Sequence, residues 1–82
     1  MIRVKVLLFA SLAERAGVRE IGLRLPLESV AGDVWDAVVE RYPELADARP
    51  TTTISVNLEY AEPGRVLADG DELALIPPVS GG

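Results

Sequence analysis

Only one stretch of this chain has the helical period over a length that could cover a sheet; the segments around it alternate with a period of two. Val30, Val34, Val38 and Tyr42 recur every four residues, and Trp35 and Val39 widen the stripe. Asp33, Asp36, Glu40 and Arg41 fall on the other side, so the stretch is an amphipathic helix. Ser29 is its predicted N-cap, although Gly32 stands where a capping box would want Glu. Pro43 closes the helix because the residue before a proline is pushed out of helical geometry. Trp35 is expected to be a core anchor.

The flanking segments read as strands. Ile2, Val4, Val6 and Leu8 alternate with Arg3, Lys5, Leu7 and Phe9. Ser11 to Ala16 predicts a short helical turn stopped by Gly17. Ile21, Leu23 and Leu25 form a second strand that Pro26 ends, close enough in sequence to pair antiparallel with the first. Glu44 to Thr52 reads as a loop with one turn around Leu45. Ile54, Val56, Leu58 and Tyr60 alternate as a third strand, followed by a turn at Glu62-Pro63-Gly64. Val66 and Leu67 suit a short edge strand, Asp69-Gly70-Asp71 a tight turn, and Glu72 to Ile76 the last strand. Three acids around one glycine do not fill a calcium loop, so Asp69, Asp71 and Glu72 read as a solvated turn. The order predicts an α+β fold: a β-grasp, ubiquitin-like roll with a mixed sheet covered by one main helix.

Composition narrows the function. The 82 residues make one domain. A chain this short buries only about 60–65% of its unfolded surface, so its core is small. Nearly half the residues are hydrophobic, which argues for a folded globule. No apolar run approaches the length of a membrane span, and Met1-Ile2-Arg3-Val4-Lys5 has no signal-peptide character. A cytoplasmic protein is expected. The absence of cysteine excludes disulfides, thiolate metal sites and a cysteine nucleophile. The absence of histidine removes the commonest general base and metal ligand. A net charge of −5 disfavours nucleic acid and anionic membranes, and favours a partner with a basic docking surface.

The remaining feature is the end of the sequence, Pro77-Pro78-Val79-Ser80-Gly81-Gly82. The prolines stop strand pairing and favour an extended course. The glycines leave the last two positions slender and conformationally free. Six residues reach at most roughly 20 Å. This divides the chain into a domain over residues 1–76 and a tail over residues 77–82, shaped to enter a narrow pocket on another protein. Frayed termini also look like this. Strand parity adds a second candidate surface. If Ile2, Val4, Val6 and Leu8 face the helix, Phe9 faces out; if Leu73 and Leu75 face in, Ile76 faces out. With the first and last strands parallel at the sheet centre, Phe9 and Ile76 lie side by side next to the tail, a predicted docking patch.

The run Asp69-Gly70-Asp71-Glu72 followed by apolar residues and Pro77-Pro78-Val79-Ser80-Gly81-Gly82 resembles the C-terminus of the MoaD family, the small subunits of molybdopterin synthase. Lys5-Val6-Leu7-Leu8-Phe9-Ala10 and Val56-Asn57 are similar to the same family. The related thiamine-pathway (ThiS) carriers share the fold and terminal glycines but usually lack the paired prolines. The resemblance implies a ubiquitin-like sulfur carrier. Gly82 would be adenylated, then converted to a thiocarboxylate that donates sulfur to a pterin precursor. Gly81, Ser80, Val79, Pro78 and Pro77 would enter the partner, and Phe9, Tyr60 and Ile76 would dock around the tail's root. The implied partners are a MoaE-like large subunit in a heterotetramer, a MoeB-like adenylating enzyme related to ubiquitin activators, and a sulfur donor protein. No cofactor would be bound; ATP would be used by the adenylating partner, and catalytic groups would belong to the large subunit. A carrier for another pathway, such as thiamine, tRNA thiolation or a sulfur amino acid, remains open. So does a protein modifier that forms an isopeptide bond through Gly82.

Overall fold

A computed structural model describes residues 1–78. Five strands form one sheet: β1 (Ile2–Leu8), β2 (Glu20–Leu25), β3 (Thr53–Val56), β4 (Glu59–Tyr60) and β5 (Glu72–Ile76), in the spatial order β2-β1-β5-β3-β4. β1 and β5 are parallel neighbours at the centre, and the other pairings are antiparallel. The sheet is therefore mixed, as the order of elements predicts.

Helix α1 (Ala10–Ala16) links β1 to β2, buries Leu12 and ends where Gly17 adopts φ 78°. Helix α2 (Ala31–Arg41) lies on the inner face and buries Ala31, Val34, Trp35 and Val38. Inward-facing β1 residues Ile2, Val4, Val6 and Leu8 meet this layer, together with Leu73 and Leu75 of β5. Fully burying a Val or Leu side chain contributes about 1.5–3 kcal/mol, so this apolar layer dominates the fold's stability.

Four expectations are corrected. Ser29 is not the N-cap of α2: its hydroxyl donates to the Pro26 carbonyl at 2.7 Å and closes the preceding turn. The N-cap is Val30, whose N–H donates to the Asp33 carboxylate at 2.8 Å. Asp33 thus does from three residues on what a capping-box Glu would do, one position beyond Gly32. Pro43–Thr51 is a 3-10 helix rather than a loop, with Leu45 wholly buried. Two ion pairs tie it down: Arg15 to Asp47, and Arg49 to Asp36, each at 2.6 Å. Arg15 also donates to the Glu44 carbonyl, and Arg49 to the Gly32 carbonyl at 3.0 Å.

The predicted third strand is two strands. β3 ends at Val56, Asn57 and Leu58 turn with φ 50° and 71°, and β4 returns, pairing Glu59 with Val56 and Tyr60 with Ser55. A two-residue turn with both residues at positive φ suits the twist of a hairpin, but Asn-Leu lacks the glycine that usually signals it. Val66 and Leu67 form no edge strand. Val66 makes an isolated bridge to Val30, and Leu67 is buried with its N–H on the Ser29 carbonyl at 2.8 Å. This segment clips the start of α2 instead of extending the sheet.

Candidate functional site: the root of the C-terminal tail

The parallel pairing of β1 with β5 brings both strands to one end of the sheet, where Leu8 pairs with Leu75. One residue further, Phe9 N–H donates to the Leu75 carbonyl at 3.3 Å. Phe9 has left the strand and caps α1 in an extended conformation. Phe9 is 46% exposed, large for an aromatic with a core within reach. Ile76 is half-buried. Phe9, Ser11, Glu14, Ile76, Pro77 and Pro78 line one open cleft of about 490 Å³. On its other side Phe9 borders a second cleft, shared with Leu7, Ala13 and Arg19. The ring is thus an apolar ridge between two grooves, at the point where β5 delivers the chain to its last residues.

Pro77 is buried, continuing the inward parity of Leu73 and Leu75, whereas Pro78 is exposed. Pro77 therefore packs with the body although the sequence assigns it to the tail: strand parity carries one residue past the last strand before the chain leaves the sheet. Val79, Ser80, Gly81 and Gly82 lie outside the described residues.

Tyr60 is 82% exposed on the edge strand β4. It stands in the register row Leu7–Ala74–Ser55–Tyr60, on the face opposite α2. The hairpin turn changes the parity of the returning strand, which puts Tyr60 on the open face with Phe9 and Ile76. It borders neither cleft at Phe9; it lines a separate hollow with Thr52, Thr53 and Pro63. The structure thus sets Phe9, Ile76 and Pro78 around one cleft, with Tyr60 as an outlier on the same face.

Sequence reasoning missed Ser11 and Glu14 at the tail's root. They reach it only because α1 folds back beside β5, and nothing in their local pattern marks them. It also read Leu58 as part of a continuous third strand, whereas the turn leaves that side chain 94% exposed. The asparagine before it was the available signal, since Asn tolerates positive φ.

The acids of the Asp69-Gly70-Asp71 turn are already engaged. Asp69 accepts from the Arg3 N–H at 2.8 Å, and Asp71 accepts from the Ala68 N–H at 2.8 Å and from Asn57 Nδ2 at 2.9 Å. Among the described residues no group of His, Cys, Asp or Glu is arranged to hold a metal ion. No helix of the described residues is long and apolar enough to cross a membrane. One ionisable pair is perturbed: hydrogen bonding to Arg15 holds the Asp47 carboxyl below its usual range, and Arg15 is raised in return. Both are solvent-exposed, and neither lines the cleft at the tail's root.

A mixed sheet with parallel central strands and one main helix on one face defines a ubiquitin-like β-grasp protein. The chain belongs to the ThiS family, whose model matches residues 6–82. It is 44% identical to the human molybdopterin synthase sulfur carrier subunit, over 100% of this chain and 97% of that one. It is 43% identical to small archaeal modifier protein 1 of Haloferax volcanii, over 92% of this chain and 95% of that one. The crystal structure of that archaeal protein superposes with a TM-score of 0.90 and 38% identity, covering 98% of this chain and 99% of the other. A β-grasp chain from a Helicobacter pylori complex of subunits 1 and 2 of molybdopterin-converting factor superposes with a TM-score of 0.71, covering 99% and 100% of the two chains. At 21% identity this likeness concerns the fold.

Proposed function

We propose that this protein is the sulfur carrier subunit of a molybdopterin synthase, working in the cytoplasm with Gly82 as its reactive residue. The observation that carries the reading is the Phe9–Ile76 ridge beside Pro78, an apolar docking surface at the root of a chain ending in Gly81-Gly82. The likeness to the human molybdopterin synthase sulfur carrier subunit over nearly the whole of both chains supports the reading.

A carboxylate is a poor electrophile because it is an anion at neutral pH, with a free pKa of roughly 3.5. An adenylating enzyme would join the Gly82 carboxylate to the α-phosphate of ATP and release pyrophosphate. A sulfur nucleophile would then displace AMP and leave a thiocarboxylate. Sulfur would thus be held without cysteine, which this chain lacks. Phe9 and Ile76 would seat the body on the large synthase subunit while Pro78, Val79, Ser80, Gly81 and Gly82 reach into its active site. The thiocarboxylate sulfur would attack the pterin precursor. Hydrolysis of the resulting thioester would leave sulfur on the pterin and return Gly82 as carboxylate; two rounds would complete the dithiolene. With no histidine or cysteine here, the acid–base groups would belong to the partner. This chain itself would bind no cofactor.

The test is intact-mass analysis after incubation with the adenylating enzyme, ATP and sulfide. The wild type should gain the mass of one oxygen-to-sulfur exchange; chains lacking Gly82, or extended by one residue, should gain nothing. The same gain in the Gly82 deletion would sink the reading. The likeness to small archaeal modifier protein 1 supports a second reading, in which activated Gly82 forms isopeptide bonds to lysine. Peptide mapping of the same reaction with added lysine-bearing protein separates the two: a Gly-Gly remnant on lysine marks the modifier.

A further inference from the structure

Leu58 combines two features that folding alone disfavours. It is 94% exposed, more than any other large apolar side chain among the described residues. It also sits at φ 71°, in the left-handed region that bulky residues avoid and where hairpin turns of this kind favour glycine. A glycine there would remove both costs.

The turn is nonetheless held firmly. Asn57 N–H donates to the Glu72 carbonyl at 2.8 Å. Asn57 Nδ2 donates to Asp71 at 2.9 Å, and Asn57 Oδ1 accepts from the Glu72 N–H at 3.0 Å. The Asn57 amide thus clamps the hairpin tip to the start of β5. A side chain presented on a clamped turn has less freedom left to lose on binding. Backbone strain retained by over-determined surroundings is a recurrent property of recognition sites.

Leu58 is also continuous with the open face. It lies two residues before Tyr60, in the hairpin that borders the row Leu7–Ala74–Ser55–Tyr60. Acids flank it: Glu59 follows directly, and Asp71 and Glu72 hold the clamp. Lys5 stands 3.9 Å from Glu72, leaving the surroundings net acidic.

We propose that Leu58 is a second anchor for the large synthase subunit, entering an apolar socket rimmed by Lys or Arg. The inference rests on the docking face described under Proposed function and extends it from the tail's root to the opposite end of β5. A standard interface buries about 800 Å² per partner, enough to reach both places.

The experiment compares wild type, Leu58→Gly, Leu58→Asn and Phe9→Ala for melting temperature and for affinity to the large subunit, at two salt concentrations. Glycine and asparagine both tolerate the turn's conformation, so both Leu58 variants should melt no lower than wild type. Each should bind at least tenfold more weakly, and wild-type binding should weaken with added salt. Wild-type affinity in both Leu58 variants, with Phe9→Ala still impaired, would overturn this inference and leave the docking face standing. Unimpaired binding by all three variants would remove the docking face as well. Weakened binding with lowered melting temperature in both Leu58 variants would assign Leu58 to the fold and overturn the inference.

Discussion

The two faces of the sheet use the same strands for opposite ends. On the inner face Val6, Leu73 and Val56 stand in one register row, and Leu8, Leu75 and Ile54 in the next; all six are buried. On the open face the interleaved residues are Lys5 with Glu72, then Leu7, Ala74, Ser55 and Tyr60. Parity along a strand therefore sorts substitutions into two kinds. Inner-face residues are committed to stability and cannot easily change. On the open face Ser55 is buried and Leu7, Ala74 and Ile76 are half-buried, whereas Phe9 and Tyr60 are exposed and have less packing to lose.

The largest effect is expected where the inner face is packed most tightly. Trp35 is 1% exposed, and its Nε1 has no hydrogen-bond partner among the described residues. Its contribution is thus packing alone. Trp35→Ala should cost about 3–5 kcal/mol, a large part of the ~5–15 kcal/mol of a typical domain. Each kcal/mol lowers the melting temperature of a domain this size by roughly 4–8 °C. A calorimetric shift of only a few degrees would show that the inner face is not where stability resides.

A smaller effect is expected for Phe9→Ala, and of a different kind. Truncating an aromatic anchor typically costs ~2 kcal/mol of binding, about thirtyfold in affinity. The melting temperature should fall far less than for Trp35→Ala, because the ring is half exposed. Titration calorimetry against the large subunit, with a thermal melt beside it, decides the matter. A variant that binds normally but melts early would make Phe9 a packing residue and dissolve the contrast between the faces.

The smallest effect belongs to the exposed pair between α1 and the 3-10 helix. The Asp47 carboxyl is depressed first by its hydrogen bond from Arg15, below its ordinary value of 3.8. A depressed acid stabilises the fold fully above its unfolded value, and that stability is lost as pH falls through the folded value. The stability difference between wild type and Asp47→Asn should therefore be constant at neutral pH and shrink below pH 3.8. Salt should diminish it too, since the pair is open to solvent. A difference that grew on acidification would contradict the assigned pairing.

The sequence was informative where one face of an element is buried. Alternation located β1, β2 and β5, and the four-residue recurrence of Val30, Val34 and Val38 located α2. It misled where a turn hides behind ordinary residues. Asn57 and Leu58 continue the alternation of Ile54 and Val56, so their pattern cannot be told from a longer strand. The 3-10 helix was invisible for a related reason. It has no apolar stripe of its own, and it is held by Leu45 beneath it and by arginines from α1 and from within it.

Within the candidate site, the sequence alone determined which side-chain chemistries are missing: the 82 residues hold no thiol and no imidazole. It also determined the outward parity of Phe9 and Ile76, because alternation is a property of each strand by itself. Only the tertiary structure decided that these two residues meet. Their shared cleft depends on β1 and β5 being parallel neighbours in register, a pairing between segments more than 60 residues apart. Only the tertiary structure counted Pro77 with the body, and only the hairpin turn put Tyr60 on the open face and Leu58 in solvent. Local pattern records which way a side chain points from its own backbone; what it then faces is set by strands brought beside it from elsewhere in the chain.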